Sequence, residues 1–275
     1  MLDTTPTHRR ANWLRSTLSP AGETNVRSKR AVAAQLALVL GALFAYMAVR
    51  FVTKGQQREA IAHARSLLHL EQLFGIDWER GAQSTIVHRP NWKYFFNTVY
   101  VWAYWPMVIL TLMLFWRRDR HRYQLFRDAL FISGAVGLVM FALYPVAPPR
   151  MLDGFTDTVA QVSRQHFVAH PTGLANEYAA LPSFHAGWFV LAASMIAYGA
   201  RRFISRLVMV LLSALMSFAV VITANHYVVD VVVGVALSLV GLFVAWCLHG
   251  GVLGRRSRRE PVTTDAESLY FDVGD

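Results

Sequence analysis

The sequence predicts an all-α, polytopic membrane protein: a bundle of six transmembrane helices with one extra amphipathic interfacial helix. Three observations carry that reading. The chain of 275 residues is 55% apolar and 13% aromatic, with only 16% charged. Several apolar runs reach the roughly 20 residues that an α-helix needs to cross a bilayer. The residues able to do chemistry gather at one set of helix ends. A soluble enzyme does not have this composition. The formal net charge of +10 would point to nucleic acid in a soluble protein. Here the basic residues cluster beside apolar runs, so they report topology and no nucleic-acid partner is expected. The single cysteine, Cys247, lies in an apolar run, which excludes an intrachain disulfide framework and a thiolate metal cluster.

Taken in order, residues 1–30 form a basic tail with Arg9, Arg10, Arg15, Arg27, Lys29 and Arg30, expected to be disordered and cytoplasmic. No cleavable signal is evident, and the first span is 31–52. Residues 56–74 alternate Ile61, Ala64, Leu67, Leu68 and Leu70 with Arg58, Glu59, Arg65 and Glu71. That pattern suits a helix lying on the membrane surface, or else a connector packed against the bundle. A loop is expected up to Pro90, and Glu71, Asp77 and Glu79, in or after the amphipathic stretch, read as solvated charges. Span two is 94–116; Trp92, Trp102, Tyr104, Trp105 and Trp116 read as interface anchors, and Pro106 predicts a kink. Span three, 129–144, lies between Arg127 and Pro145. A loop over 146–182 is long enough to be functional. Spans four to six are 184–200, 207–224 and 227–248. Residues 31–250 thus form the membrane domain and 251–275 a cytoplasmic tail.

Six spans put both termini on one side. The segments on that side hold 18 Lys and Arg, against 9 on the other. The positive-inside rule therefore places both termini in the cytoplasm. The 146–182 loop and the starts of spans four and six then face outward. Arg dominates over Lys and Ala and Val are abundant, a composition of GC-rich bacterial genomes, which points to the plasma membrane. Nothing in the pattern specifies an oligomer.

Three clusters meet on the outer face. Asn225-His226-Tyr227-Val228-Val229-Asp230 opens span six. His226 and Asp230 are four apart and share a helix face. A carboxylate next to a valine run is costly in hydrocarbon and needs a partner. Asp230 would fix the imidazole tautomer and free the other nitrogen of His226 for attack. Pro182-Ser183-Phe184-His185 opens span four. Ser183 can cap that helix, whose free N–H groups suit a phosphate, and His185 lies in its first turn. Tyr144-Pro145-Val146-Ala147-Pro148-Pro149-Arg150 ends span three, and Arg150 can hold a phosphate bidentately. Read one at a time, these are a cap, an interfacial histidine and a snorkelling arginine. Together they make a phosphoryl-transfer site.

These residues resemble the type 2 phosphatidic acid phosphatase superfamily, and within it the branch of inositol phosphorylceramide synthases. The resemblance covers about 56–248. Pro-Ser-Phe-His at 182–185 is similar to the family's Pro-Ser-Gly-His, whose histidine protonates the leaving group. His226 and Asp230 match its His-x-x-x-Asp, whose histidine becomes phosphorylated. Ala-Pro-Pro-Arg at 147–150 resembles the first-motif region of this branch. The chain departs from the common pattern in three places. Leu143 stands where the first motif has lysine, Ala219 and Val220 where the third has Ser-Arg, and Phe184 where the second has glycine. Asn225 and Thr223 are candidates to replace the missing phosphate ligand, or else they cap span six or hydrogen-bond within the bundle. The departures fit the synthase-like branch.

The resemblance implies a metal-free, cofactor-free membrane enzyme acting on a lipid phosphate, with His226 as nucleophile, Asp230 as its partner and His185 as acid. Arg150, Ser183 and Asn225 would bind substrate. Water as acceptor gives a phosphatase; a lipid or sugar hydroxyl gives a phosphotransferase. An intramembrane Asp-His pair would also serve a proton-coupled transporter, but the ionisable groups gather at one face and not across the midplane. His166 and His170, spaced i, i+4, are a separate candidate for metal, without a carboxylate pattern beside them. His88, Arg89, Asp153 and Glu177 are further polar residues on the outer side.

Overall fold

The computed structural model describes residues 29–166 and 176–250, with side chains over 33–162 and 176–250. The expected basic tail, almost all of it, and the C-terminal tail lie outside the described residues. The described chain is helical: α1 (Lys29–Thr53), α2 (Gln57–Phe74), α3 (Glu79–Val87), α4 (Pro90–Thr98), α5 (Tyr104–Arg118), α6 (Arg120–Leu143), α7 (Thr158–His166), α8 (Phe184–Gly199), α9 (Phe203–Ile222) and α10 (Val228–Leu248). A π-helical turn, Val99–Ala103, joins α4 to α5. No named strand occurs among the described residues, only an isolated parallel bridge between Val146 and Ala179.

Among the described residues, five helical stretches are long and apolar enough to cross a bilayer: Ala33–Thr53, Pro90–Arg118, Arg120–Leu143, Phe203–Ile222 and Val228–Leu248. Helix α8 is apolar but has only 16 residues. At 1.5 Å per residue it measures about 24 Å, short of the roughly 30 Å hydrocarbon core. The stretch Pro90–Arg118 stays helical through Pro106 because the preceding turn widens to a π-helix. Proline lacks an N–H and crowds the carbonyl four residues back, here that of Trp102, which lies within the π-turn. The distortion expected at Pro106 therefore falls one turn earlier.

Helix α10 packs closely against both α6 and α8, and α8 also against α9. Apolar side chains gain little from meeting one another in lipid, so close backbone approach through small residues does the work. A Cβ at Gly187 of α8 would sit 2.3 Å from the Gly234 carbonyl oxygen of α10. One at Gly234 would sit 2.2 Å from the Ser183 carbonyl oxygen. Lower in the bundle, a Cβ at Gly241 would meet the Ala129 carbonyl oxygen of α6 at 2.8 Å. The aromatic and aliphatic core around these contacts includes Val108, Phe126, Leu191, Met216 and Val220. Leu40, Phe44, Leu211, Val232 and Phe243 are exposed on the outside.

Sequence patterning missed three features here. Residues 79–87, expected as loop, are a helix. The polar run from Arg120 belongs to α6, which Asp119 caps by accepting from the Arg122 N–H at 3.0 Å. Tyr104, expected as an interface anchor, is buried in the core, whereas Trp92, Trp102, Trp105 and Trp116 are exposed. Helix α2 turns Ala60, Ala64 and Leu67 onto the 146–152 segment and Tyr227, the connector packing of the two readings left open by its pattern.

Gly234→Ala should therefore push α8 from α10. Overpacking of this kind costs about 1–3 kcal/mol. Thermal unfolding in detergent should show a clear loss of Tm, and Gly41→Ala, where no neighbour lies within 4 Å, should show none.

Candidate active site

The site is assembled where α9 turns into α10. Ala224 adopts φ 54°, the left-handed region that residues with a Cβ seldom enter. The turn folds back on α9, so that the Asn225 and His226 N–H groups both donate to the Val220 carbonyl, each at 3.1 Å. Strain of this kind gathers where surrounding structure over-determines the backbone. His226 is thereby held in the interior, 5% exposed.

The Nδ1 atom of His226 lies 2.8 Å from the Ala180 carbonyl oxygen. A carbonyl only accepts, so Nδ1 carries the hydrogen and Nε2 is left with its lone pair. The Oδ2 atom of Asp230 is farther from Nδ1, at 3.5 Å, and accepts the Tyr227 N–H at 2.8 Å. The tautomer-setting expected of Asp230 thus rests first on a backbone carbonyl, with the carboxyl behind it. Burial, aided by the Arg150 guanidinium and opposed by the bond to Ala180, pushes the His226 imidazole down to about 4. It is neutral at pH 7.

His185, in the first turn of α8, faces His226 with ring centroids 5.9 Å apart. Tyr100 and Tyr104 flank it, each with its ring centroid 4.6 Å away. Tyr100 comes from the π-turn, and its ring also lies 6.4 Å from that of His226. Neither tyrosine was singled out for chemistry from sequence. A π-turn often marks a functional position, but it has no sequence signature beyond the nearby proline.

Arg150 sits in the turn Pro149–Met151 with its N–H donating to the Ala224 carbonyl at 2.9 Å. Its guanidinium donates to Asn225 Oδ1 and lies 3.6 Å from Asp157 Oδ2. Asn225 Nδ2 donates to Thr223 Oγ1 at 2.7 Å, and Thr223 donates to the Ala219 carbonyl at 2.6 Å. Both ends of the Asn225 amide are therefore engaged inside the protein, and its contact with the site runs through Arg150. Ser183 is fully buried and accepts the Ala186 N–H at 3.4 Å as the cap of α8. The structure thus brings Arg150, His185, Asn225, His226 and Asp230 to one end of the bundle, with Ser183 directly beneath. The His166 side chain and all of His170 lie outside the described residues.

One expectation is overturned. Glu71 and Glu79 are not solvated: both are fully buried. Glu71 Oε1 accepts the Val229 N–H at 2.7 Å and Glu79 Oε1 accepts the Val228 N–H at 2.8 Å. A signal existed for the first. Ala60, Ala64, Leu67 and Glu71, the buried residues of α2, follow steps of four, three and four, so Glu71 lies on the packed face.

The chain belongs to the PAP2 superfamily: the family model matches residues 65–244, a stretch that holds Arg150, Ser183, His185, Asn225, His226 and Asp230. Over 150 residues the chain is 26% identical to a phosphoinositol dihydroceramide synthase of Bacteroides thetaiotaomicron, an alignment covering 49% of this chain and 49% of that protein. The chain thus spans about half the length of this curated relative. No solved structure matches it.

Asn225→Ala would leave one Arg150 N–H without its acceptor and the Thr223 oxygen without the donor that Asn225 supplies. Leaving a buried group unsatisfied costs about 1–3 kcal/mol. A lower Tm in detergent checks this, and Asn225→Asp, which keeps the oxygen toward Arg150, should lose less.

Proposed function

We propose that the protein is an integral membrane lipid phosphatase or phosphotransferase that works through a phosphohistidine at an extracytoplasmic site. The observation that carries this reading is the facing pair of imidazoles with Arg150 beside them, inside a PAP2-superfamily chain. Helix α8 is taken as a sixth, shorter span of a 31–250 membrane domain. Both termini are cytoplasmic, in line with the excess of basic residues on that side, and the membrane is the plasma membrane. Exposed Leu73 and Phe74 at the end of α2, with Trp78 just before α3, would dip into the outer interface, giving α2 both a bundle face and a membrane edge.

In the first step the Nε2 lone pair of His226 forms a bond to phosphorus as the bond from phosphorus to the leaving oxygen breaks. His185, protonated, passes its proton to that oxygen. The imidazole now carries positive charge, and the Ala180 carbonyl and the Asp230 carboxyl stabilise its Nδ1–H. Arg150, oriented by Asn225, neutralises the equatorial oxygens. In the second step an acceptor hydroxyl gives its proton to His185, its oxygen attacks phosphorus, and the N–P bond breaks to return neutral His226.

The acceptor decides the reaction class. Water yields a phosphatase. A lipid or sugar hydroxyl yields a phosphotransferase moving a phospho-headgroup, the reading favoured by the relative from Bacteroides thetaiotaomicron and by the branch-like motifs.

The test is product analysis with purified protein in detergent and excess chelator. Phosphatidic acid and phosphatidylinositol are supplied with and without ceramide. Chelator-resistant phosphate release or headgroup transfer is expected, lost by at least a hundredfold in His226→Ala, on the scale typical of removing an activated catalytic group. Turnover that survives His226→Ala would overturn the nucleophile, and no turnover under any of these conditions would overturn the reading.

A further inference from the structure

Glu71 and Glu79 have no part in the chemistry just described, yet they are among the most thoroughly buried ionisable residues in the described chain. They arrive from two different helices, α2 and α3, and meet at the first turn of α10. The three N–H groups that follow His226 each end on a different acid. Tyr227 N–H goes to Asp230 at 2.8 Å, Val228 N–H to Glu79 at 2.8 Å, and Val229 N–H to Glu71 at 2.7 Å. A helix N-terminus leaves such groups unpaired, and a single local Ser, Thr or Asp commonly serves as cap. Here two of the acceptors come from 149 and 158 residues upstream. The arrangement ties the peripheral α2–α3 unit to the backbone immediately after His226.

The second oxygens, Glu71 Oε2 and Glu79 Oε2, have no hydrogen-bond donor among the described residues. The two carboxyl groups accept from adjacent backbone N–H groups, so they lie side by side in the interior. Two carboxylates at that separation in a buried site do not both ionise. One proton between them satisfies both orphan oxygens. No three His, Cys, Asp or Glu side chains among the described residues converge as metal ligands would.

We propose that Glu71 and Glu79 share one proton and act together as positioning residues for His226, fixing the first turn of α10 so that Nε2 faces the substrate phosphorus. The part concerning substrate rests on the phosphohistidine reading above; the shared proton and the fixed turn do not.

The pH dependence has a definite sign. Burial, then the neighbouring Glu79 and Asp230 carboxyls, push Glu71 up to about 9, against the pull of the Val229 N–H. Glu79 is raised too, by burial first and in part by Asp77. The other titratable group against the pair is the Tyr227 hydroxyl, which donates to the Ala147 carbonyl at 3.1 Å. A carboxyl raised on folding contributes stability that is fully present below its unfolded pKa and is lost as pH rises through its folded one. The window therefore runs from about 4.5 to about 9.

The experiment uses the full chain purified in detergent, with Glu71→Gln, Glu71→Ala and Glu79→Gln. Glutamine keeps Oε1 for the helix N–H and supplies a permanent N–H where the shared proton stood. Tm is followed from pH 5 to pH 10. The wild type should lose several degrees relative to Glu71→Gln across the window. In parallel, the rate at which diethyl pyrocarbonate modifies His226 is read by mass spectrometry. Glu71→Ala should raise it several-fold, and Glu71→Gln should bring it back toward wild type. Turnover, assayed as above, should fall at least tenfold in kcat for Glu71→Ala with KM little changed, and recover most of that loss in Glu71→Gln.

Parallel Tm curves for wild type and both glutamine variants would overturn the shared proton. Unchanged His226 modification in Glu71→Ala would overturn the positioning role. A wild type without turnover would sink the functional reading alone, because the Tm and modification measurements still decide the carboxyl pair.

Discussion

The hydrogen bond from the Ser183 N–H to the Asp230 carbonyl, 3.0 Å long, joins the two helix starts on which the site depends. Helix α8 begins with His185 beyond it; α10 begins with His226 before it. The same Ser183 carbonyl that closes the first turn of α8 lies where a Cβ on Gly234 would have to be. Backbone therefore meets backbone. The separation of the two imidazoles is set by main-chain contact, which varies far less than side-chain rotamers do. Ser183 matters here through its amide and carbonyl as well as its hydroxyl.

The segment 146–152 works as a hub on the same principle. Val146 N–H donates to the Tyr178 carbonyl and the Val146 carbonyl accepts from Ala180 N–H, Ala147 N–H donates to the Ala60 carbonyl of α2 at 3.0 Å, and Arg150 N–H donates to the Ala224 carbonyl. The Tyr227 hydroxyl closes the circuit on Ala147. Extended backbone buried among helices must place its polar groups somewhere. Here they are spent joining the arginine segment to the nucleophile turn, so Arg150 is located by its main chain before its side chain makes any contact.

Much of this was legible from residue order alone. Apolar runs predicted the long helices to within a few residues at most ends, because lipid-facing helices must be apolar and uninterrupted. His185, His226 and Asp230 stood out because ionisable groups are rare in such runs. What patterning missed depends on tertiary placement. Glu71 and Glu79 look like surface acids until α2 and α3 are folded against α10. The Ala180 carbonyl, as a backbone group, carries no residue signature, yet it is nearer to His226 Nδ1 than the aspartate that sequence singles out. Helix α3 is short and mixed in polarity, so its nine residues resembled a loop. Tyr104 was taken for an interfacial aromatic because its neighbours Trp102 and Trp105 are; one residue of helix rotation separates outside from inside.

Phe184 occupies the position at which the family motif has glycine. Its ring enters the space beside Gly137 of α6, where an added Cβ would come within 2.2 Å of the ring carbon Cζ. The two positions, one on each helix, are filled by one side chain. A side chain at 137 would have to displace the Phe184 ring, and shrinking 184 alone would open a void beside Gly137.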